Sequence, residues 1–415
     1  MHSQHLPHLP ASFWEQSPQL TAIRQAAFAR ITSPDAVLAC VLCRVAASFP
    51  PTFTLPNKTS LNYIVALVGD SGHGKSVAFR TARQLLPDIG LTVAELNIGS
   101  GQGIASTYSS PTSDENITSQ PVTSALFCVP EGEQLLKLGK ASESITLSTI
   151  RSAWSGETLG TANASKERRR HVPADSYRFA MAVGFQPSFA AELLTGVNAG
   201  DPQRFLFSGV TSPNQPDIVP TFPKQFAPLW EQTLTGEASL NVHSEITREI
   251  ENYRIKKQRL EVPVDPLDSH RHLLQLKTAG QLALLHNDDV TLQWWNAAAL
   301  MVDVSRGVRD RLAELAVLDR RQRNAERTAE QIESETVKES SRELRSLESM
   351  IHSIVQKCRV ERVPVSRSDL HNATASKHRA VVDFDSALAT AIERGQLIPA
   401  PDKQKHYYTP IGTRN

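Results

Sequence analysis

The chain has 415 residues, 40% hydrophobic and 6% aromatic, and its 44 Lys+Arg nearly balance 43 Asp+Glu for a formal charge of +1. At roughly 100–200 residues per domain that length suits two to four domains, and near-neutrality excludes a globally basic nucleic-acid coat or an acidic solvating tail. Four cysteines are too few for a disulfide scaffold, no run of about eighteen apolar residues suggests a membrane span, and the opening MHSQHLPHLPASFWEQ lacks the basic-then-apolar pattern of a signal peptide, so the expected location is the cytoplasm.

Residues 14–48 carry apolar side chains at helical spacing, with Ser33-Pro34-Asp35 as a helix start inside them. Pro50, Pro51 and Pro56 then close a helical region spanning 1–55. Cys40 and Cys43 form a CxxC, but they lie within an apolar helical pattern and lack a second pair, so they read as core thiols rather than a metal or redox site.

From 56 to 224, strand-length apolar runs alternate with helical stretches, which predicts an α/β core with a parallel sheet. The expected strands are Tyr63–Val68, Leu91–Ile98, Thr123–Val129, Tyr177–Val183 and Arg204–Phe207. The first runs into Gly69-Asp70-Ser71-Gly72-His73-Gly74-Lys75-Ser76, which satisfies GxxxxGK[ST], and a helical stretch follows. In that context the glycines let successive backbone N–H groups turn around phosphate oxygens, and the helix N-terminus adds partial positive charge. Lys75 then reaches the outer phosphates of ATP, and the Ser76 hydroxyl ligates Mg2+.

An ATPase of this kind needs a carboxylate on a neighbouring strand, to hold the metal's water shell and orient the attacking water. Thr123–Val129 ends in Pro130-Glu131-Gly132-Glu133, so Glu131 is the expected catalytic carboxylate and a ligand of Mg2+ through water. Pro130 stands where an aspartate is usual and offers no side-chain oxygen, which leaves nucleotide binding on firmer ground than hydrolysis. Gln186, at the tip of the Tyr177–Val183 strand, reads either as a turn residue or as a hydrogen-bond partner of the γ-phosphate. Arg204, at the start of the last strand, reads either as a surface ion-pair partner or as an arginine finger given to a neighbouring copy.

Residues 225–340 are dominated by helical patterns, and 306–350 are crowded with both charge signs. From 341 to 415, helix, turn, helix and a short apolar hairpin read as a winged helix-turn-helix. Residues 359–415 hold nine Lys/Arg against six Asp/Glu. Lys377 and Arg379 precede the expected recognition helix, and Lys403 and Lys405 sit in the expected wing, positions suited to phosphates of duplex DNA, with a protein-interaction module as the other reading of such a fold.

In this order, the segments SLNYIVALVGDSGHGKS, NIGSGQGI, ALFCVPEGE, YRFAMAVGFQP and GDPQRFLF resemble the helicase-like replication ATPases of actinobacterial phages, plasmids and integrated elements, which occur beside or fused to a primase-polymerase. DSHRHLLQLKTAGQLALLHNDDVTLQWWNAAALMVDVS is similar to the helical lid of hexameric AAA+ helicases. The resemblance covers about 12–310 and implies an AAA+/RecA-like core, ATP and Mg2+ as cofactors, and a homo-oligomeric ring acting on DNA during replication of a phage or mobile element. It assigns Lys75 and Ser76 to Walker A, Glu131 to Walker B, Gln186 to a sensor and Arg204 to a finger. It also puts Lys166, Arg168, Arg169 and Arg170 in an interval that in ring helicases faces the pore, where they would hold single-stranded DNA; on the residues alone they read equally as a solvated loop or one that binds acidic side chains. A nucleotide-switched DNA-binding or assembly protein with little turnover is the alternative. A small-molecule kinase leaves the lid and tail unexplained.

Overall fold

The computed structural model describes residues 6–90, 93–109, 122–140, 145–160, 171–195, 200–227, 229, 238–263, 265–361, 363–401 and 403–410. The chain divides into two units, Met1–Leu318 and Asp319–Asn415, and each has its own hydrophobic core.

The first unit begins with α1 (Ala11–Trp14), α2 (Pro18–Ala29) and α3 (Pro34–Ser48). Ser17 and Ser33 each accept a backbone N–H of the first turn, and a proline occupies the next position, which fixes where α2 and α3 start. All 15 residues of α3 are buried. Cys40 and Cys43 lie within it, and burial pushes both thiols up, away from the reactive thiolate form.

Strands and helices then alternate: β1 (Phe53–Thr54), β2 (Tyr63–Val68), α4 (Lys75–Leu85), β3 (Val93–Leu96), α5 (Gly101–Tyr108), β4 (Ser124–Val129), α6 (Gly132–Lys140), α7 (Thr146–Ser155), β5 (Arg178–Phe185), α8 (Pro187–Leu194) and β6 (Leu206–Gly209). Strands β2 to β6 make a five-stranded, all-parallel sheet in the order β3-β4-β5-β2-β6. Every residue of β2 and β5 is buried, because α3 packs across β2, β4, β5 and β6 while α6, α7 and α8 pack on β5. The chain leaves β2 toward β3 on one side and leaves β5 toward β6 on the other. Those opposed connections make the carboxyl ends of β2 and β5 a topological switch point, where open α/β sheets form their binding crevice.

After β6 come β7 (Ala238–Ser239), which pairs in parallel with β1, then α9 (Ser244–Gln258), α10 (Arg271–Leu285) and α11 (Leu292–Glu361). The last runs unbroken for 70 residues. The unit boundary and the expected boundary at 340/341 both fall inside it.

The second unit packs the end of α11 against β8 (Val365–Ser366), α12 (Arg367–Ala373), α13 (Ser376–Arg379), α14 (Phe384–Glu393), β9 (Ile398–Pro399) and β10 (His406–Tyr408). Ser366 and Asp383 cap α12 and α14. The expected hairpin is β9–β10, and β8 adds a third strand on the far side of β10. Among the described residues no helix is long and apolar enough to cross a membrane.

Candidate active site

At the switch point the sequence motif becomes a loop between β2 and α4. Gly74 is the residue before α4, with φ of +97°, a left-handed conformation that side chains rarely adopt. No side chain caps that helix start, so its first-turn N–H groups keep their capacity for an anion. Lys75 is 8% exposed. Its Nζ donates to the carbonyls of Gly69 at 2.7 Å and Asp70 at 2.9 Å. Burial lowers the pKa of this ammonium, while Glu131 and Asp70 pull it back up. Ser76 is exposed on the first turn of α4, and the Asp70 and His73 side chains form an exposed pair at 3.6 Å.

Three chain segments converge on Lys75. A methyl group on Gly184 would stand 2.5 Å from the Pro130 carbonyl oxygen and 3.1 Å from Lys75 Cδ, so only glycine lets β5 approach both. Pro130 and Glu131 follow β4, which brings the exposed Glu131 carboxylate within electrostatic reach of the ammonium. Gln186 follows Phe185, whose carbonyl accepts the Gly69 N–H at 3.1 Å. The sequence reading put the Glu131 strand next to the P-loop strand. In the structure β5 lies between them, and the loops at the carboxyl ends bring Glu131 back. Glu133 is committed elsewhere, to Lys137 at 2.7 Å one helical turn on.

These residues suit a nucleotide with Mg2+: an uncapped helix start and a lysine for phosphate, a hydroxyl at Ser76 and a carboxylate at Glu131 for a hydrated metal. Among the described residues no group of three or more His, Cys, Asp or Glu forms a metal site of its own, so phosphate and water would supply the remaining ligands.

A feature that the sequence reading missed adjoins this loop. The turn between α2 and α3 closes as a Schellman motif: Thr32 N–H donates to Ala27 O and Ile31 N–H to Phe28 O, both at 3.1 Å. The left-handed position, where glycine is usual, is held by Ile31 with φ of 51° and 68% exposure. The next residue, Thr32, is 4% exposed, and its Oγ1 has no partner among the described residues while lying 3.2 Å from where a Gly74 Cβ would be. The signal in the sequence was a β-branched pair, Ile31-Thr32, at a helix end that lacks glycine.

Arg204 lies at the other end of the sheet. It closes a short turn, Pro202–Arg204, before β6, and the parallel register Val65↔Leu206 sets it level with Tyr63 at the start of β2. A strand of that length puts it about 20 Å from the phosphate loop of its own chain. Its Nη1 donates to Gly200 O, its guanidinium lies 5.5 Å from the Trp154 ring centroid, and its Nε has no partner among the described residues. The same ring meets the Lys277 ammonium at 4.2 Å. Lys277, on α10, is 1% exposed and donates to Trp154 O at 2.6 Å, Asn62 O at 3.1 Å and Ser60 Oγ at 3.2 Å. It therefore braces the amino ends of the strands and stands far from the phosphate loop.

His270 meets Trp154 edge-on at 5.7 Å. Burial first, then Arg204, Lys257 and Lys277, lower its pKa from 6.5 to about 4. Between those values an unfolded chain binds a proton that the folded one refuses, so stability falls as pH drops from about 6.5 to about 4. With the ring partly exposed, the expected loss is on the order of 1–2 kcal/mol. Urea midpoints at pH 7 and pH 4.5 check it, and His270→Phe should remove that share of the difference.

The expected pore cations Lys166, Arg168, Arg169 and Arg170 lie outside the described residues. In the second unit Lys377, Lys403 and Lys405 are exposed. Arg379 is used internally: its Nη1 donates to His371 O at 2.6 Å, to Thr374 O, and to Thr374 Oγ1 at 3.1 Å, closing the turn after α12. The exposed face of α14 presents Asp385, Ser386, Ala389 and Glu393, with no cation.

No family model matches the chain, and no curated protein matches it.

Proposed function

We propose that the chain is an ATPase that works as a helicase-like motor on DNA, assembled as a homo-oligomeric ring and serving the replication of a phage or mobile element beside a primase-polymerase. The observation that carries this reading is the convergence of Lys75, Glu131 and Gln186 on an uncapped helix start at the switch point of a parallel sheet. Lys75 exchanges its two carbonyl acceptors for phosphate oxygens, and the first-turn N–H groups of α4 complete the cradle. Ser76 and, through water, Glu131 would hold Mg2+, which would neutralise charge on the phosphates. Glu131 also orients the attacking water, and Gln186 hydrogen-bonds the γ-phosphate. Arg204, a strand length from its own loop, serves the site of a neighbouring copy.

Of the expected lid over 225–340, α10 braces the amino ends of the strands and does not cover the nucleotide, while 341–415 act as a winged helix. The acidic face of α14 is repelled by the phosphates that flank a groove, so this unit meets duplex DNA through phosphates at Lys377, Lys403 and Lys405. Pro130 and the Glu133–Lys137 pair favour a second reading, a nucleotide switch with slow turnover. ATP hydrolysis measured with and without single-stranded DNA separates the two, with Lys75→Ala as the inactive control. Turnover that rises with DNA supports the motor, and tight binding with no turnover in either condition replaces it with the switch. A mass that stays monomeric with a non-hydrolysable ATP analogue and DNA removes the role of Arg204.

In this reading the base of the nucleotide rests on Ile31. A β-branched residue at a left-handed cap costs about 1–2 kcal/mol, so Ile31→Gly should raise the thermal midpoint by a few degrees, on the order of 1 kcal/mol. The same variant should weaken binding of an ATP analogue several-fold. Calorimetric melting and a binding titration on one preparation test both signs together.

A further inference from the structure

A cleft of about 880 Å³ opens where the C-terminal ends of α2 and α4 meet residues 222–227. Its lining is chemically one-sided. Arg30, Lys224, Gln84 and Gln225 supply donors, Phe222 and Phe226 supply rings, and no carboxylate is among the described residues that line it. The parts are also fixed in place. The Arg30 guanidinium lies 4.8 Å over the Phe222 ring and its Nε donates to Gln84 Oε1 at 3.1 Å. The segment itself is pinned to both helices, through Phe226 N–H on Leu85 O at 2.7 Å and Gln25 Nε2 on Thr221 O at 2.8 Å. Arg80, one turn before Gln84 on α4, is exposed as well.

We propose that this cleft binds single-stranded nucleic acid, with phosphates at Arg30 and Lys224 and a base stacked on the aromatic surface of Phe222 and Phe226. Cations alone would suit any polyanion, including an acidic peptide. Rings interleaved with cations favour bases, which stack on aromatic side chains whatever their sequence. Gln84 follows Gly74 by ten residues of helix, about 15 Å, so the cleft is separate from the phosphate cradle yet shares its helix. The inference rests on the DNA-acting part of the proposed function and does not need the ATPase part.

Fluorescence anisotropy of the full chain with labelled oligo(dT) tests it, over a range of salt. Phe222→Ala should weaken binding about tenfold and leave the slope of log affinity against log salt unchanged. Arg30→Ala with Lys224→Ala should lower that slope by about 1.4, at roughly 0.7 per cation on a single strand. Both should bind an ATP analogue like the unsubstituted chain, which also reports an intact fold. If Phe222→Ala unfolds the protein, Arg30→Glu with Lys224→Glu, both at exposed positions, decides the matter by a larger loss. Variants that bind the oligonucleotide like the parent overturn the proposal. So does a loss confined to the ATP analogue, which would give the cleft to the nucleotide, or competition by polyglutamate as effective as by oligo(dT). A parent chain that binds no oligo(dT) ends both this inference and the DNA-acting reading, whereas failure of the cleft variants alone leaves that reading standing.

Discussion

Replacing Lys75 with alanine is expected to lower affinity for ATP by at least about 100-fold, roughly 3 kcal/mol, while the fold survives. The ammonium is desolvated, and only the Gly69 and Asp70 carbonyls and the nearby Glu131 and Asp70 charges hold it there. A phosphate offers a stronger, charged acceptor at the same place. Alanine removes that exchange entirely. It also relieves the burial of a charge, so the urea midpoint should move by no more than about 1 kcal/mol equivalent. Titration with a fluorescent ATP analogue, beside a denaturation curve, reads both. A variant that binds the analogue normally would remove the phosphate cradle from this loop.

Arg178→Met is expected to cost about 3–5 kcal/mol of stability. The guanidinium is 0% exposed at the start of β5. It donates to Phe49 O at 3.3 Å, Pro50 O at 2.8 Å, Asn62 Oδ1 at 3.4 Å, and Phe53 O. Burial lowers its pKa to about 9, and all its acceptors named here are carbonyls. Replacing a buried ion by an apolar side chain is often harmless when its partners go too. Here the partners stay behind: Pro50 O keeps the Phe53 N–H and Asn62 Oδ1 keeps the Phe179 N–H, while the Phe49 and Phe53 carbonyls lose the guanidinium as donor. Arg178→Lys keeps the charge but loses the fork that spans four acceptors, and should cost about half as much. Chemical denaturation of both variants decides it, and equal stability of Arg178→Met and the parent would make the clasp irrelevant.

What the sequence disclosed follows from how its signals arise. β2 matches its expected bounds because a strand buried on both faces must be an unbroken apolar run, and Tyr63–Val68 is one. The start of α3 was readable because Ser33 and Pro34 act locally. The last core strand begins at Leu206 rather than Arg204, since Pro202 draws the preceding residues into a tight turn. The insertion of β5 between β2 and β4 has no local signature, as strand order is decided by packing. The continuity of α11 did leave a trace: residues 308–363 contain neither glycine nor proline. A charge-rich surface hides that trace, because alternating signs suit one helix or two.

At the site, the phosphate loop was legible because backbone chemistry demands glycines at fixed spacing. Lys277 lies in a helix that the resemblance gave to the lid, and its burial against Trp154 and three oxygens depends on segments more than a hundred residues away. Ile31 left only the faint trace of a helix end without glycine, and the backbone angle is what places it in a glycine position.

The complete burial of α3 has a consequence for how the chain is made. Its surfaces are covered by β2, β4, β5 and β6, and β6 starts at Leu206. At about 5–20 residues per second, roughly 8–30 s of synthesis separate the emergence of α3 from that of its last covering strand. For that interval α3 has α2, β2 and α4 beside it but lacks its cover from β4, β5 and β6, so the nascent chain carries a half-covered apolar helix and its need of a chaperone outlasts the synthesis of the phosphate loop.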